Sequence, residues 1–211
     1  MKEIKIKICG LTNQQNVSEV ADLRPDYMGF ILYNGSPRFV SLETAGALTK
    51  DLASSILKVG VLVNESFENA LKIAQSGYFD LIQLHGNEDV EYCRELSNHI
   101  QIIKAFSVGK SLPVNLTAYL GFCEMFLFDT SGELPGGSGK SFDHRILSSY
   151  RMEKDFILAG GISPADANGL KSIKNDRLAV VDLNSRFELS PGIKDILLLK
   201  KFIVKFREYE S

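Results

Sequence analysis

Eight times along this chain, a short run rich in Val, Ile, Leu and Phe gives way to a polar or glycine-bearing loop and then to a stretch with helical spacing. Strands are expected at 4–9, 27–32, 57–63, 80–85, 101–106, 125–129, 155–159 and 178–183. Helices are expected between them at 13–23, 42–54, 66–77, 88–98, 113–121, 143–149, 164–173 and 194–208. Ser41 ahead of Glu43, Ser66 ahead of Glu68 and Pro164 after Ser163 mark helix starts, where a side-chain oxygen or a preset φ suits the first turn. The stretch 113–121 has the thinnest signal, because Pro113 and its neighbours scarcely repeat. Regular alternation of strand and helix means a parallel sheet. Eight units in 211 residues fit a compact α/β architecture, the (β/α)8 TIM barrel, better than an open flavodoxin-like sheet, which needs fewer strands. No linker or low-complexity segment interrupts the run, so 1–211 is expected to form a single domain.

Composition removes other classes of function. A formal net charge of −2 gives no reason to expect nucleic acid or a membrane surface as partner. No apolar run reaches the roughly 18 residues that a membrane span requires, and the N-terminal residues lack a signal-peptide pattern. Three cysteines without close spacing make neither a disulfide framework nor a zinc site. The chain is expected to be cytoplasmic, reduced and free of bound metal.

The first strand carries the most unusual pattern. Ile4, Ile6 and Ile8 share one face, and Lys5, Lys7 and Cys9 the other, because strand side chains alternate. The isoleucines call for an apolar cover, most simply a helix. Cys9 closes the strand just before Gly10, at the C-terminal end where ligands gather in parallel α/β proteins. By itself this fits equally an edge strand with solvated lysines and an inert buried thiol.

In a barrel, the other strand ends would join Cys9 at one mouth. They carry Ser36-Pro37-Arg38-Phe39, Asn64-Glu65, Gln83 with His85, Ser107, Asp129-Thr130, Gly160-Gly161 and Asp182 to Ser185. Gly160-Gly161 and Asn184-Ser185 follow strands seven and eight, between which such barrels often seat a phosphate on backbone N–H groups. Glycine there lets the backbone approach the anion; the alternative is an ordinary tight turn. Gly136 to Lys140 lacks the spacing of a nucleotide phosphate loop and reads as a mobile loop beside the site.

Several ordered motifs now point one way: KICGLT (7–12), GFIL and SPRFV (29–32, 36–40), VGVLVNE (59–65), LIQLHGNE (81–88), FDTSG and GGSGKSFD (128–132, 136–143), LAGGI (158–162) and VVDLNS (180–185). The set resembles the phosphoribosylanthranilate isomerase family of tryptophan biosynthesis over nearly the whole chain. The resemblance implies a (β/α)8 barrel catalysing an Amadori rearrangement without cofactor. The substrate is a small phosphoribosyl molecule, N-(5′-phosphoribosyl)anthranilate, and the product 1-(2-carboxyphenylamino)-1-deoxyribulose 5-phosphate. It also implies Cys9 as general base, Asp129 as general acid and Arg38 at the anthranilate end. After strand eight the family often has Ser-Gly-Val-Glu, where this chain has Ser185-Arg186-Phe187-Glu188. Arg186 then either contacts the phosphate or points to solvent, the latter being favoured. A monomer and a homodimer are both compatible with the sequence.

That chemistry needs Cys9 as thiolate and Asp129 protonated, the reverse of free groups with pKa values of about 8.5 and 3.9. Lys7, one inward layer below Cys9, and Asp182 on the neighbouring strand are expected to pair beneath the base. Lys7 either favours the thiolate or is merely structural. Gln83 and His85 share parity and are expected to contact substrate, as is Asp182. Phe39 is equally a wall of an aromatic slot or a core residue. His99 and His144 read as surface residues, and Cys93 and Cys123 as packing. An aminoaldose isomerase of histidine biosynthesis is the rival enzyme, disfavoured because those generally use two aspartates. A non-catalytic phosphosugar-binding barrel is the rival from another class.

Overall fold

Alternate side chains on each strand feed two separate cores, and that division builds the molecule. The computed structural model describes residues 3–130, 144–170, 173 and 175–207. The strands are β1 (Lys5–Cys9), β2 (Tyr27–Ile31), β3 (Leu57–Leu62), β4 (Leu81–Leu84), β5 (Gln101–Val108), β6 (Met125–Thr130), β7 (Phe156–Leu158) and β8 (Leu178–Leu183). All pair in parallel with their sequence neighbours, and β1 also pairs with β8, so the barrel closes. Ile6, Ile8, Phe30, Phe126 and Leu183 face outward into the layer under the helices. Val59, Val61, Leu81, Ile103, Leu127, Ile157 and Val180 fill the barrel interior. The isoleucine face of β1 is therefore covered, as its pattern requires, and its Lys7 and Cys9 point inward.

Helices α1 (Gln14–Ala21), α2 (Leu42–Thr49), α3 (Phe67–Gln75) and α4 (Val90–Leu96) follow the first four strands, and α5 (Ile196–Arg207) follows the last. Asn13, Ser41, Ser66 and Asp89 cap the first four, each side chain accepting a hydrogen bond from a backbone N–H three residues on. After β5, β6 and β7 the expected helices shrink to 3-10 turns at Leu116–Tyr119, His144–Ser149 and Pro164–Ala167. The first follows from the weak periodicity around Pro113. The third stops where Asn168 and Gly169, poor helix formers, follow Ala167. Large rings pack on this thinly covered side: Phe106 meets Phe126 at 5.2 Å, and Phe128 meets Tyr150 at 5.5 Å and Phe156 at 5.3 Å, centroid to centroid. The expected loop Gly136–Lys140 lies outside the described residues.

Two details position the mouth. Lys104 Nζ, buried between β5 and the helical layer, donates to Glu88 Oε2 at 3.0 Å. The Glu88 carboxylate also accepts from the N–H groups of Asn64 (2.8 Å) and Gly86 (3.0 Å), fixing the turn that follows β4. Beyond β8 the chain makes a 3-10 turn, Ser185–Phe187, and an antiparallel hairpin of β9 (Glu188–Ser190) and β10 (Ile193–Lys194) before α5. The hairpin replaces the first residue of the helix expected at 194–208. Gly192, in its turn, has φ +87°, a conformation that favours glycine.

Candidate active site

The C-terminal strand ends surround a pocket enclosing about 720 Å³, open solvent at its mouth included. Ile31 and Val61 form apolar wall, while Cys9, Gln83, His85, Asp129 and Asp182 supply its polar groups. Gly160, Gly161, Asn184 and Ser185 line it from the loops after β7 and β8. Nine of the ten residues singled out for the site thus meet at one cavity, from β1, β4, β6, β7 and β8. Arg38 is the exception.

Cys9 is buried on the inward face of β1. Its thiol fits only because residue 29 on β2 has no side chain: a Cβ there would lie 2.6 Å from Cys9 Sγ. Beneath it, Lys7 pairs in register with Asp182, and Lys7 Nζ donates to Asp182 Oδ2 at 2.7 Å. Asp182 lines the pocket, and its buried Oδ1 has no hydrogen-bond partner among the described residues. Burial would lower the Lys7 pKa, but its neighbours, above all the Asp182 carboxylate, reverse this and keep the ammonium protonated. The Cys9 thiol differs from expectation. Burial pushes its pKa up, Asp182 adds to this, and the positive charges of Lys7 and Lys194 pull it back without reversing it. The thiolate is therefore the minor form at neutral pH in this ligand-free arrangement, because desolvation outweighs the nearby cations.

Across the mouth, His85 Nε2 lies 3.2 Å from Asp129 Oδ2, and Gln83 Nε2 lies 2.7 Å from His85 Nδ1. Gly160 and Gly161 have φ of +85° and +69°, so both need glycine and both turn backbone toward the pocket. Arg186 is exposed.

Arg38 does not line this pocket. It is buried, and its Nε donates to Glu188 Oε1 (2.9 Å) and Oε2 (3.1 Å) while Nη2 donates to Oε2 at 2.6 Å. Lys194 Nζ reaches the same carboxylate at 2.7 Å and Asn184 Oδ1 at 2.8 Å. A buried guanidinium requires such a partner. Burial would raise the Glu188 pKa, but the hydrogen bonds and charges of Arg38 and Lys194 hold it below the usual carboxylate range. Gly10, with φ +82°, makes room for this crossing, since a Cβ there would sit 2.6 Å from Arg38 Cδ and 2.8 Å from Asn184 Oδ1. Sequence reading singled out neither Glu188 nor Lys194. The Pro191-Gly192 dipeptide was the available signal for their hairpin. Phe39 is neither wall nor core: it is 44% exposed and borders a separate groove between the segments that follow β2 and β3. His99 is exposed, and Cys93 and Cys123 are buried.

Among the described residues, no group of three or more His, Cys, Asp or Glu is placed to hold a metal ion. Fold and pocket together define a (β/α)8 barrel with its ligand site at the C-terminal mouth. A family model described as N-(5′-phosphoribosyl)anthranilate isomerase matches residues 6–205, and the chain belongs to that family. An N-(5′-phosphoribosyl)anthranilate isomerase of Parabacteroides distasonis is 43% identical over 201 residues, covering 94% of this chain and 91% of its own length. The phosphoribosyl anthranilate isomerase structure from Thermotoga maritima superposes with a TM-score of 0.86 at 33% identity, covering 98% of this chain and 100% of that one. A third relative is a structure in complex with reduced 1-(o-carboxyphenylamino)-1-deoxyribulose 5-phosphate. Its TM-score is 0.83 at 31% identity, over 98% of this chain and 100% of that one.

Proposed function

We propose that this chain converts N-(5′-phosphoribosyl)anthranilate to 1-(2-carboxyphenylamino)-1-deoxyribulose 5-phosphate in tryptophan biosynthesis, with Cys9 as general base and Asp129 as general acid. The observation that carries the assignment of roles is that a thiol from β1 and a carboxyl group from β6 line the same mouth pocket. Asp129 gives its proton to the furanose ring oxygen as the C1′–O bond opens to an iminium. Cys9, as thiolate, removes the C2′ proton, and the resulting enolamine tautomerises to the ketone.

The phosphate is assigned to the loops after β7 and β8. Left-handed backbone at Gly160 and Gly161, with Asn184 and Ser185 opposite, leaves backbone N–H groups free of obstructing side chains there. Asp182 lines the pocket, so its carboxylate is the acceptor for an N–H or O–H of the substrate. For Arg38 to bind the anthranilate carboxylate it must use the Nη1 edge, because Glu188 takes Nε and Nη2.

Loss of phosphoribosylanthranilate fluorescence tests the reading. Cys9→Ser and Asp129→Asn should each lower kcat by about 10²-fold or more with the fold retained. Turnover surviving in either variant defeats the role given to that residue. An inactive wild-type protein defeats the substrate.

A further inference from the structure

Gln83 is only 1% exposed, yet it borders the pocket, and its amide faces a histidine that faces the acid. Gln83 Nε2 lies 2.7 Å from His85 Nδ1. An amide NH2 has only protons to offer, so the ring nitrogen it meets must present a lone pair. A neutral imidazole carries one proton, which then sits on the other nitrogen, Nε2. That nitrogen lies 3.2 Å from Asp129 Oδ2, within reach to donate. The chain of hydrogen bonds runs one way, from the Gln83 amide to Nδ1 and from Nε2–H to Asp129. Gln83 Oε1, buried and without a partner among the described residues, is left as an acceptor.

We propose that Gln83 is a positioning residue: its amide holds the His85 proton on Nε2, so that the ring donates to Asp129 throughout turnover. This deepens the acid–base reading above and rests on it. When Asp129 releases its own proton to the substrate, it becomes a carboxylate, and the hydrogen bond from His85 becomes charge-assisted, roughly twice as strong as a neutral one. His85 keeps its proton, so none passes through the ring. The gain appears only as charge develops on Asp129, which lowers the barrier to ring opening and leaves ground-state binding alone.

The experiment is NMR of the full chain labelled with ¹⁵N-histidine, at pH about 8, above the ordinary imidazole range near 6.5. A His85→Gln sample identifies the His85 signals. In the wild type, the ligand-free protein and its complex with reduced 1-(o-carboxyphenylamino)-1-deoxyribulose 5-phosphate should both show the proton on Nε2. Gln83→Met should lose the single tautomer, and its kcat should fall about tenfold with KM within about twofold. A proton on Nδ1 in the wild type overturns the proposal, whether or not Gln83→Met folds. An unchanged tautomer and kcat in a folded Gln83→Met also overturns it, because Gln83 then only fills space. The tautomer is read without turnover, so failure of the isomerase assignment is seen separately.

Discussion

Lys7 is the side chain whose removal separates two accounts of Cys9. Its ammonium lowers the thiol pKa, while burial of the sulfur raises it by more. Lys7→Met should move the Cys9 limb further up in pH, since the group that favours the thiolate is gone. Alkylation of Cys9 by iodoacetamide as a function of pH reads this directly, and an unmoved limb in a folded variant leaves Lys7 structural. The same substitution strands Asp182, buried and bonded to Lys7, and breaking such a pair destabilises by roughly 3–5 kcal/mol. Lys7→Met/Asp182→Asn removes that charge and gives a folded background if the single variant is lost. Residue parity on β1 and β8 made the Lys7–Asp182 pair legible in sequence, because adjacent parallel strands in a closed barrel bring equal layers together. Parity says nothing about how far a thiol is desolvated. The resting protonation of Cys9 was therefore not legible in the sequence.

At the scale of elements, the β9–β10 hairpin ties the loop after β2 to the loop after β8. Glu188 holds Arg38 and Lys194 together, and Asn16 of α1 clasps β10 through Lys194, accepting from its N–H at 2.7 Å and donating to its carbonyl at 3.0 Å. The Glu188 pKa lies below its ordinary 4.5 in the folded protein. The sign follows: the stabilisation is present above that ordinary value and is lost as pH falls through the depressed folded value. Glu188→Gln should therefore lower the urea midpoint at neutral pH and flatten its decline below about pH 4.5. Equal acid slopes for the two proteins would assign that dependence to other carboxylates. The eight strands could be placed within two residues or so at nearly every end because burial on both faces leaves long apolar runs with sharp polar ends. The hairpin was hidden for the opposite reason. Its strands are two or three residues long, too short to show alternation, and Glu188 meets Arg38 across 150 positions of sequence. Gln83 and His85 could be put at one pocket by their spacing, but the link from His85 to Asp129 depends on β4 and β6 flanking β5, so that their ends converge at the mouth.

At the scale of the whole molecule, closure makes every strand depend on its two neighbours, and the seam between β1 and β8 joins residues about 175 apart in sequence. Cutting such a ring at any loop and removing a unit leaves two strand edges unpaired and opens the interior core. The outer core runs from Ile6 on β1 to Phe206 on α5 as one cluster of buried residues. The barrel should therefore unfold as one unit, and the three buried cysteines report on it from two sectors: Cys9 ends β1, whereas Cys93 of α4 and Cys123 ahead of β6 lie against each other. In rising urea, alkylation of Cys93 and Cys123 should follow a single midpoint that coincides with the loss of far-UV circular dichroism. Cys9 borders the pocket, so any reaction of the native protein there appears as a component independent of urea; the remainder should share the same midpoint. Exposure of Cys9 well before the other two would mean that the β1–β8 seam opens first. The chain would then behave as a closed core with a detachable first strand, and the single-domain reading would fail.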